Sequence, residues 1–230
     1  MVHGNRDYAI GVDKPEVSLR PTSLLGSGTA LFSDDFESPS LKWEAGTYDD
    51  SAVGLTTTQP FNGDACMYLL TKSVNPLYVS SYRQIGAVIT GKVGLQLSWM
   101  TYEDTLSYLN FYINVNTGAR LKSFGVQYDT ANEKWQYFND SFVATDLTDF
   151  TQKPWDSYGN WHTAKIVYDL TNDAYAYLTS DGETCDMQGL SGRNIANTTK
   201  EHYYIVIWAK APTATQRNLY IDDVIVTQEQ

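Results

Sequence analysis

Twice in the middle of the chain, apolar and polar side chains alternate with a period of two. Val93, Leu95, Leu97 and Trp99 interleave with Gly94, Gln96, Ser98 and Met100, and Leu109, Phe111, Ile113 and Val115 interleave with Asn110, Tyr112, Asn114 and Asn116. Successive strand side chains point to opposite faces. Both stretches therefore predict strands with one face in a core and the other towards water or a partner. The same reading places strands near 30–37, 64–71, 77–83, 85–90, 120–128, 133–138, 161–169, 174–180, 203–210 and 218–227. Turn signals part them, among them Asn62-Gly63, Asn75-Pro76, Asn172-Asp173 and Asp181-Gly182. No window carries a helical period over three turns. Short strands at this spacing predict one all-β domain, an antiparallel sandwich or barrel.

Residues 1–28 break the pattern. They hold Pro15 and Pro21, their charges cancel, and only Val17, Leu19, Leu24 and Leu25 are placed to find apolar surface. This predicts an extended N-terminal arm before a sandwich at 29–230. A loose tail is the alternative reading. The opening residues contain no apolar run of the length a secretory signal needs, and no stretch approaches a membrane span. Cys66 and Cys185 permit one disulfide without requiring it, and the absence of an export signal favours two reduced thiols.

Composition agrees with strands: aromatic residues make up 13% and 17 of them are tyrosines. Sixteen Lys plus Arg against 27 Asp plus Glu leave a net charge of −11, the wrong sign for a phosphate backbone, so nucleic acid is excluded as a partner.

Three segments carry a resemblance in combination. Phe32-Ser-Asp-Asp-Phe36-Glu37, then Trp43, opens the domain. Gly159-Asn-Trp161-His162 leads through Tyr168-Asp169 to Tyr175-Ala-Tyr177 and the Asp181-Gly182 turn. Leu219-Tyr-Ile221-Asp222-Asp223-Val224 closes it. This arrangement resembles the concanavalin-like lectin/glucanase sandwiches, including laminin-G-like domains and carbohydrate-binding jelly rolls. The resemblance implies a two-sheet jelly roll whose first and last strands adjoin, and it bears on function only weakly.

The hydrolases of that superfamily carry Glu-x-Asp-x-x-Glu on one strand, and no such string occurs here. Glu103 and Asp104 are adjacent and would point to opposite faces. The three histidines stand apart, without zinc-ligand spacing, and no nucleophile elbow or phosphate loop is present. The protein is expected not to be an enzyme. Two candidate sites remain. If first and last strands adjoin, Asp34, Asp35 and Asp222 could converge on a structural Ca²⁺, a cation that takes six to eight oxygens. Strand-end carboxylates that cap turns are the alternative. The polar face of the 107–116 strand offers Asn110, Tyr112, Asn114 and Asn116, with Gln96 and Ser98 expected to flank it on a neighbouring strand. Rings stack on sugar faces and amides pair with hydroxyls, while the same residues serve a protein contact equally.

The expected function is a structural or assembly protein on a multi-subunit surface of virion type, binding protein neighbours through its arm and sheet faces. The alternative is a carbohydrate-binding module of a secreted or cell-surface protein. The corresponding location is a virion or an extracellular surface.

Overall fold

The computed structural model describes residues 28–46, 50–73, 78–86, 90–101, 106, 108–148, 150, 159–213 and 215–230. All but the last residue of the arm therefore lies outside the described residues. The first eight strands are β1 (Thr29–Asp34), β2 (Glu44–Gly46), β3 (Ala52–Thr56), β4 (Cys66–Leu70), β5 (Tyr78–Gln84), β6 (Lys92–Thr101), β7 (Tyr108–Asn116) and β8 (Arg120–Asp129). The others are β9 (Lys134–Phe138), β10 (Ala144–Asp146), β11 (His162–Asp169), β12 (Ala174–Ser180), β13 (Glu183–Asp186), β14 (Arg193–Ala196), β15 (His202–Lys210) and β16 (Asn218–Glu229). No helix among the described residues is long and apolar enough to cross a membrane.

The strands form two antiparallel sheets. One runs β13-β12-β11-β6-β16-β4-β3, with β1 also pairing β16. The other runs β10-β9-β8-β7-β15-β5-β2, with β14 also pairing β8. Strands adjacent in sequence often lie in different sheets, β6 and β7 among them, which is the crossing expected of a jelly roll. First and last strands adjoin as expected, with Asp34 opposite Val224.

The core lies between the inner faces. Leu95, Leu97 and Trp99 of β6 bury with Ile166 and Tyr168 of β11 and Ile221, Val224 and Val226 of β16. From the other sheet come Phe111 and Ile113 of β7, Phe124 and Val126 of β8, and Ile205 and Ile207 of β15. Phe124 and Tyr168 stack across the layers with ring centroids 4.4 Å apart and planes 5° from parallel.

Two bulges re-aim side chains. Asp223 adopts a left-handed φ of 51°, and the β16 register shifts between Asp222 and Ile225. The extra residue lets Leu219 and Ile221 before it and Val224 and Val226 after it all face inward. A second shift opposes Tyr168 to Tyr175 and Val167 to Tyr177. Tyr175 thus enters the core at 1% exposure.

Tyr175 then fills a break in the other sheet. The β8–β9 ladder runs from Asp129↔Lys134 to Val126↔Tyr137 and stops one pair short of Gly125 and Phe138. The Tyr175 hydroxyl accepts the Gly125 N–H at 3.0 Å and donates to the Phe138 carbonyl at 2.8 Å, with the Gly125 carbonyl 3.0 Å away. A side chain of one sheet thereby replaces main-chain bonds of the other.

Cys66 and Cys185 are buried free thiols. They sit on β4 and β13, five strand spacings apart in one sheet, or about 24 Å, far beyond the reach of a disulfide. Burial pushes the Cys66 thiol up to about 12.

Candidate functional site

The outer face of the β5-β15-β7 tract carries a groove enclosing about 610 Å³. Tyr78, Ser80 and Tyr82 of β5 line it, with Tyr204, Val206 and Trp208 of β15 and Tyr112 and Asn114 of β7. Each strand reaches it by simple alternation. On β15, Ile205, Ile207 and Ala209 are fully buried inward, which leaves Tyr204, Val206 and Trp208 outward. Register then sets the rings side by side: Tyr82 lies opposite Val206 and Val206 opposite Tyr112, with Tyr204 and Asn114 in the row to one side, Trp208 and Ser80 in the row to the other, and Tyr78 one row beyond Trp208. Tyr78 meets Trp208 edge-on with centroids 6.3 Å apart, and Tyr82 meets Tyr204 in the same way at 6.0 Å.

Tyr112 needs space beside it. A Cβ on Gly125, its partner on β8, would fall 2.2 Å from the Tyr112 Cβ. Glycine at 125 lets the ring lean across β8 to Phe142, 5.2 Å away, and Phe138, 5.9 Å away. Burial holds the Tyr112 phenol above its usual range, and the Glu44 carboxylate hydrogen-bonded to Tyr82 does the same there. Both phenols stay protonated hydroxyls at neutral pH, able to donate and accept.

Of the six residues expected at this surface, Tyr112 and Asn114 line the groove. Asn110 is on the same outer face, directly opposite Trp208, and is fully buried. Asn116 belongs to the β7–β8 turn, where its carboxamide accepts the Gly118 N–H at 2.9 Å and donates to Thr199. Gln96 and Ser98 require correction. They are on the outer face of β6, whose neighbours are β11 and β16, so they lie in the opposite sheet at 5% and 1% exposure. Alternation told their face correctly, but it carries no information about which strand pairs with which. Tyr78, Tyr82, Tyr204 and Trp208 were missed, although the period-two signal of β5 and β15 already turned them outward.

The three aspartates expected to hold calcium accept hydrogen bonds from neighbouring N–H groups. Asp34 accepts the Phe36 N–H and the Trp43 indole N–H, each at 3.0 Å, and closes a turn in which Phe36 has φ 58°. Asp35 accepts the Glu37 N–H at 3.2 Å. Asp222 accepts the N–H groups of Phe61 and Asn62 at 3.0 Å and of Asp223 at 2.8 Å. No three His, Cys, Asp or Glu side chains among the described residues gather where they could hold a metal ion.

Asp222 nevertheless has a measurable consequence. Burial, and then the charge of Asp223, push its carboxyl from 3.8 up to about 8. The folded state keeps this proton where the unfolded chain has lost it, so the stability it brings is full below pH 3.8 and declines as pH rises to about 8. The melting temperature is expected to be higher at pH 6 than at pH 8.5. Asp223→Asn, which removes the neighbouring charge, should move this decline to lower pH. An unchanged profile in that variant would contradict the assignment.

No family model and no curated protein matches the chain. Solved structures do. The cellulose induced protein Cip1 superposes with a TM-score of 0.58 at 14% identity, covering 85% of this chain and 96% of its own. The endo-β-1,4-glucuronan lyase of the fungus Trichoderma reesei does so with 0.56 at 11%, covering 87% and 96%. A carbohydrate esterase of the Shiga toxin-encoding bacteriophage phi24B gives 0.52 at 16%, covering 88% and 100%. The fold is the concanavalin-like jelly roll. Within that jelly roll, the aromatic groove occupies the outer face of the sheet opposite to the one containing the paired first and last strands.

Proposed function

We propose that this jelly roll is a non-enzymatic domain that binds an uncharged polysaccharide chain along the groove of β5, β15 and β7. The observation that carries the reading is the lining itself: Tyr78, Tyr82, Tyr112, Tyr204 and Trp208 on three neighbouring strands, interspersed with Ser80 and Asn114. From Tyr78 to Tyr82 the platform extends about 13 Å along a strand, room for more than one sugar ring. The rings offer flat apolar faces to pyranose C–H groups, and the hydroxyls and amide pair with sugar hydroxyls. The names of the three superposed proteins, which speak of cellulose, a glucuronan and carbohydrate esters, support a sugar ligand.

Charge narrows the ligand. None of the eight lining side chains is a lysine or arginine, and the chain carries −11. A polyuronate would meet no counter-charge among these eight side chains, Lys210 standing one row beyond Trp208 on β15, and a repelling net field around the protein. The same lining holds no carboxylate, histidine or cysteine, so it presents no carboxylate pair of the kind that cleaves glycosides. The reading of an assembly protein that binds neighbours through its arm and sheet faces rests in part on residues 1–28, all but one of which lie outside the described residues.

The test is affinity electrophoresis and calorimetry against soluble uncharged glucans and xylans beside polygalacturonate and polyglucuronate. Binding to at least one uncharged polymer, without binding to the uronates and without release of reducing ends, is expected. Retention by the uronates alone would overturn the charge argument. Failure to bind any polymer would overturn the reading itself.

A further inference from the structure

From the groove, one row of directly opposed residues on the same outer face crosses five strands: Trp208 of β15, Asn110 of β7, Gln127 of β8, Gln136 of β9 and Asp146 of β10. Their side chains are joined end to end. With the Asn110 amide oriented to satisfy both neighbours, its oxygen accepts the Trp208 indole N–H at 3.1 Å and its NH₂ donates to the Gln127 oxygen at 2.8 Å. The Gln127 NH₂ donates to the Gln136 oxygen, and the Gln136 NH₂ donates to Asp146 at 2.7 Å. Lys134 donates to the other carboxylate oxygen of Asp146 at 3.0 Å.

The direction of this row is forced from both ends. An indole N–H only donates, and an ionised carboxylate only accepts. The three amides between them each have one donor end and one acceptor end, and a single orientation of all three satisfies every link. If Asp146 ceased to be acceptor-only, the indole alone would set the direction of the amides. Asn110 is fully buried and Gln127 nearly so, so a reversed amide there would set oxygen against oxygen with no water to relieve it.

We propose that Asn110, Gln127 and Gln136, polarised by Asp146 at the sheet margin, are positioning residues that fix the Trp208 ring for ligand binding. The proposal builds on the glycan reading of the groove. Asp146 stands four strand spacings from Trp208, about 19 Å, and acts on it only through the intervening amides.

The test exchanges the ends of the row. Asn110→Asp puts an acceptor-only group next to Trp208 and sets it against the Gln127 oxygen, which frustrates the row. Adding Asp146→Asn supplies a donor at the far end, so Gln127 and Gln136 can both reverse and every link is remade. Measurements belong in 1 M NaCl, where the Debye length is about 3 Å and the two carboxylates no longer feel each other through solvent. Asn110→Asp alone is expected to shift the Trp208 indole ¹H–¹⁵N signal, assigned by its loss in Trp208→Phe, and to weaken binding of the retained uncharged polysaccharide about tenfold. The double variant should recover most of both. Additive effects of the two substitutions would overturn the proposal, because sites this far apart are independent unless something physical couples them. An indole signal that ignores Asn110→Asp would overturn it too. Should Asn110→Asp alone not fold, recovery of a folded, binding double variant is itself the expected rescue. Should no polysaccharide bind the unaltered protein, the indole signals still decide the matter of the row.

Discussion

Trp208→Ala should weaken retention of an uncharged polysaccharide at least about 30-fold, the effect of losing some 2 kcal/mol at a central aromatic contact. Trp208 is the largest ring lining the groove, and its indole N–H is held by Asn110. Its removal takes away both the stacking face and the surface against which Tyr78 packs. Because the ring is half-buried on an outer face, the melting temperature should fall by only a few degrees. Tyr177→Ala, on the opposite sheet, is the control and should bind as the unaltered protein does. Calorimetry with the three proteins at equal concentration makes the comparison. If Trp208→Ala and the unaltered protein bind alike, the groove is not the site.

Tyr175→Phe is expected to be the more damaging change to the fold, though it removes one oxygen atom. That hydroxyl is buried and serves the Gly125 N–H and the Phe138 carbonyl where the β8–β9 ladder ends. Phenylalanine keeps the ring contacts with Tyr168, 5.0 Å away, and Tyr137, 5.5 Å away. It leaves main-chain groups of both strands without this partner in a site water does not reach, at roughly 1–3 kcal/mol for each unsatisfied group. A loss of about 2–4 kcal/mol in chemical denaturation is expected, with the slope of the transition preserved. A loss under about 0.5 kcal/mol would show that the strands close on each other without the hydroxyl. Gly125 also cradles Tyr112, so the same variant is expected to loosen one wall of the groove.

The long strands were legible because a sheet with one buried face writes its period directly into the chain, as Leu109 to Asn116 does. The short margins were not. Glu44–Gly46, Ala144–Asp146, Glu183–Asp186 and Arg193–Ala196 have three or four residues each, too few to display any period, and they owe their shape to the neighbour they pair with. A strand was expected at 85–90, yet its described residues, 85, 86 and 90, lie outside the strands. Bulges were hidden as well: strict alternation puts Tyr175 and Tyr177 on one face, whereas the shifted register sends only Tyr175 inward. The groove was half visible. Tyr112 and Asn114 came from local alternation, and the outward turn of Tyr204 and Trp208 was present in the same kind of signal. What no local pattern contains is adjacency, namely that β15 and β5 lie beside β7 while β6 lies in the other sheet. The surroundings of Asp222 were hidden for a related reason. Juxtaposition of the first and last strands was foreseen correctly, but the backbone N–H groups of residues 61 and 62, which take up the Asp222 carboxylate, come from a loop between them.

The two thiols, five strand spacings apart in one sheet, leave this jelly roll without a covalent staple, so its two sheets are held by packing and by links such as Tyr175. Folding of the described sandwich is thus indifferent to the redox state of its surroundings as far as cross-linking is concerned. Cys66, with its thiol pushed up to about 12, holds almost no thiolate at neutral pH and is a poor target for alkylating reagents. Both native cysteines being buried, a third placed at the exposed Val143, on the loop leading into β10, would react ahead of them. The architecture so provides an address for a single fluorophore or surface tether near the margin of the groove-bearing sheet, with no need to remove the native thiols.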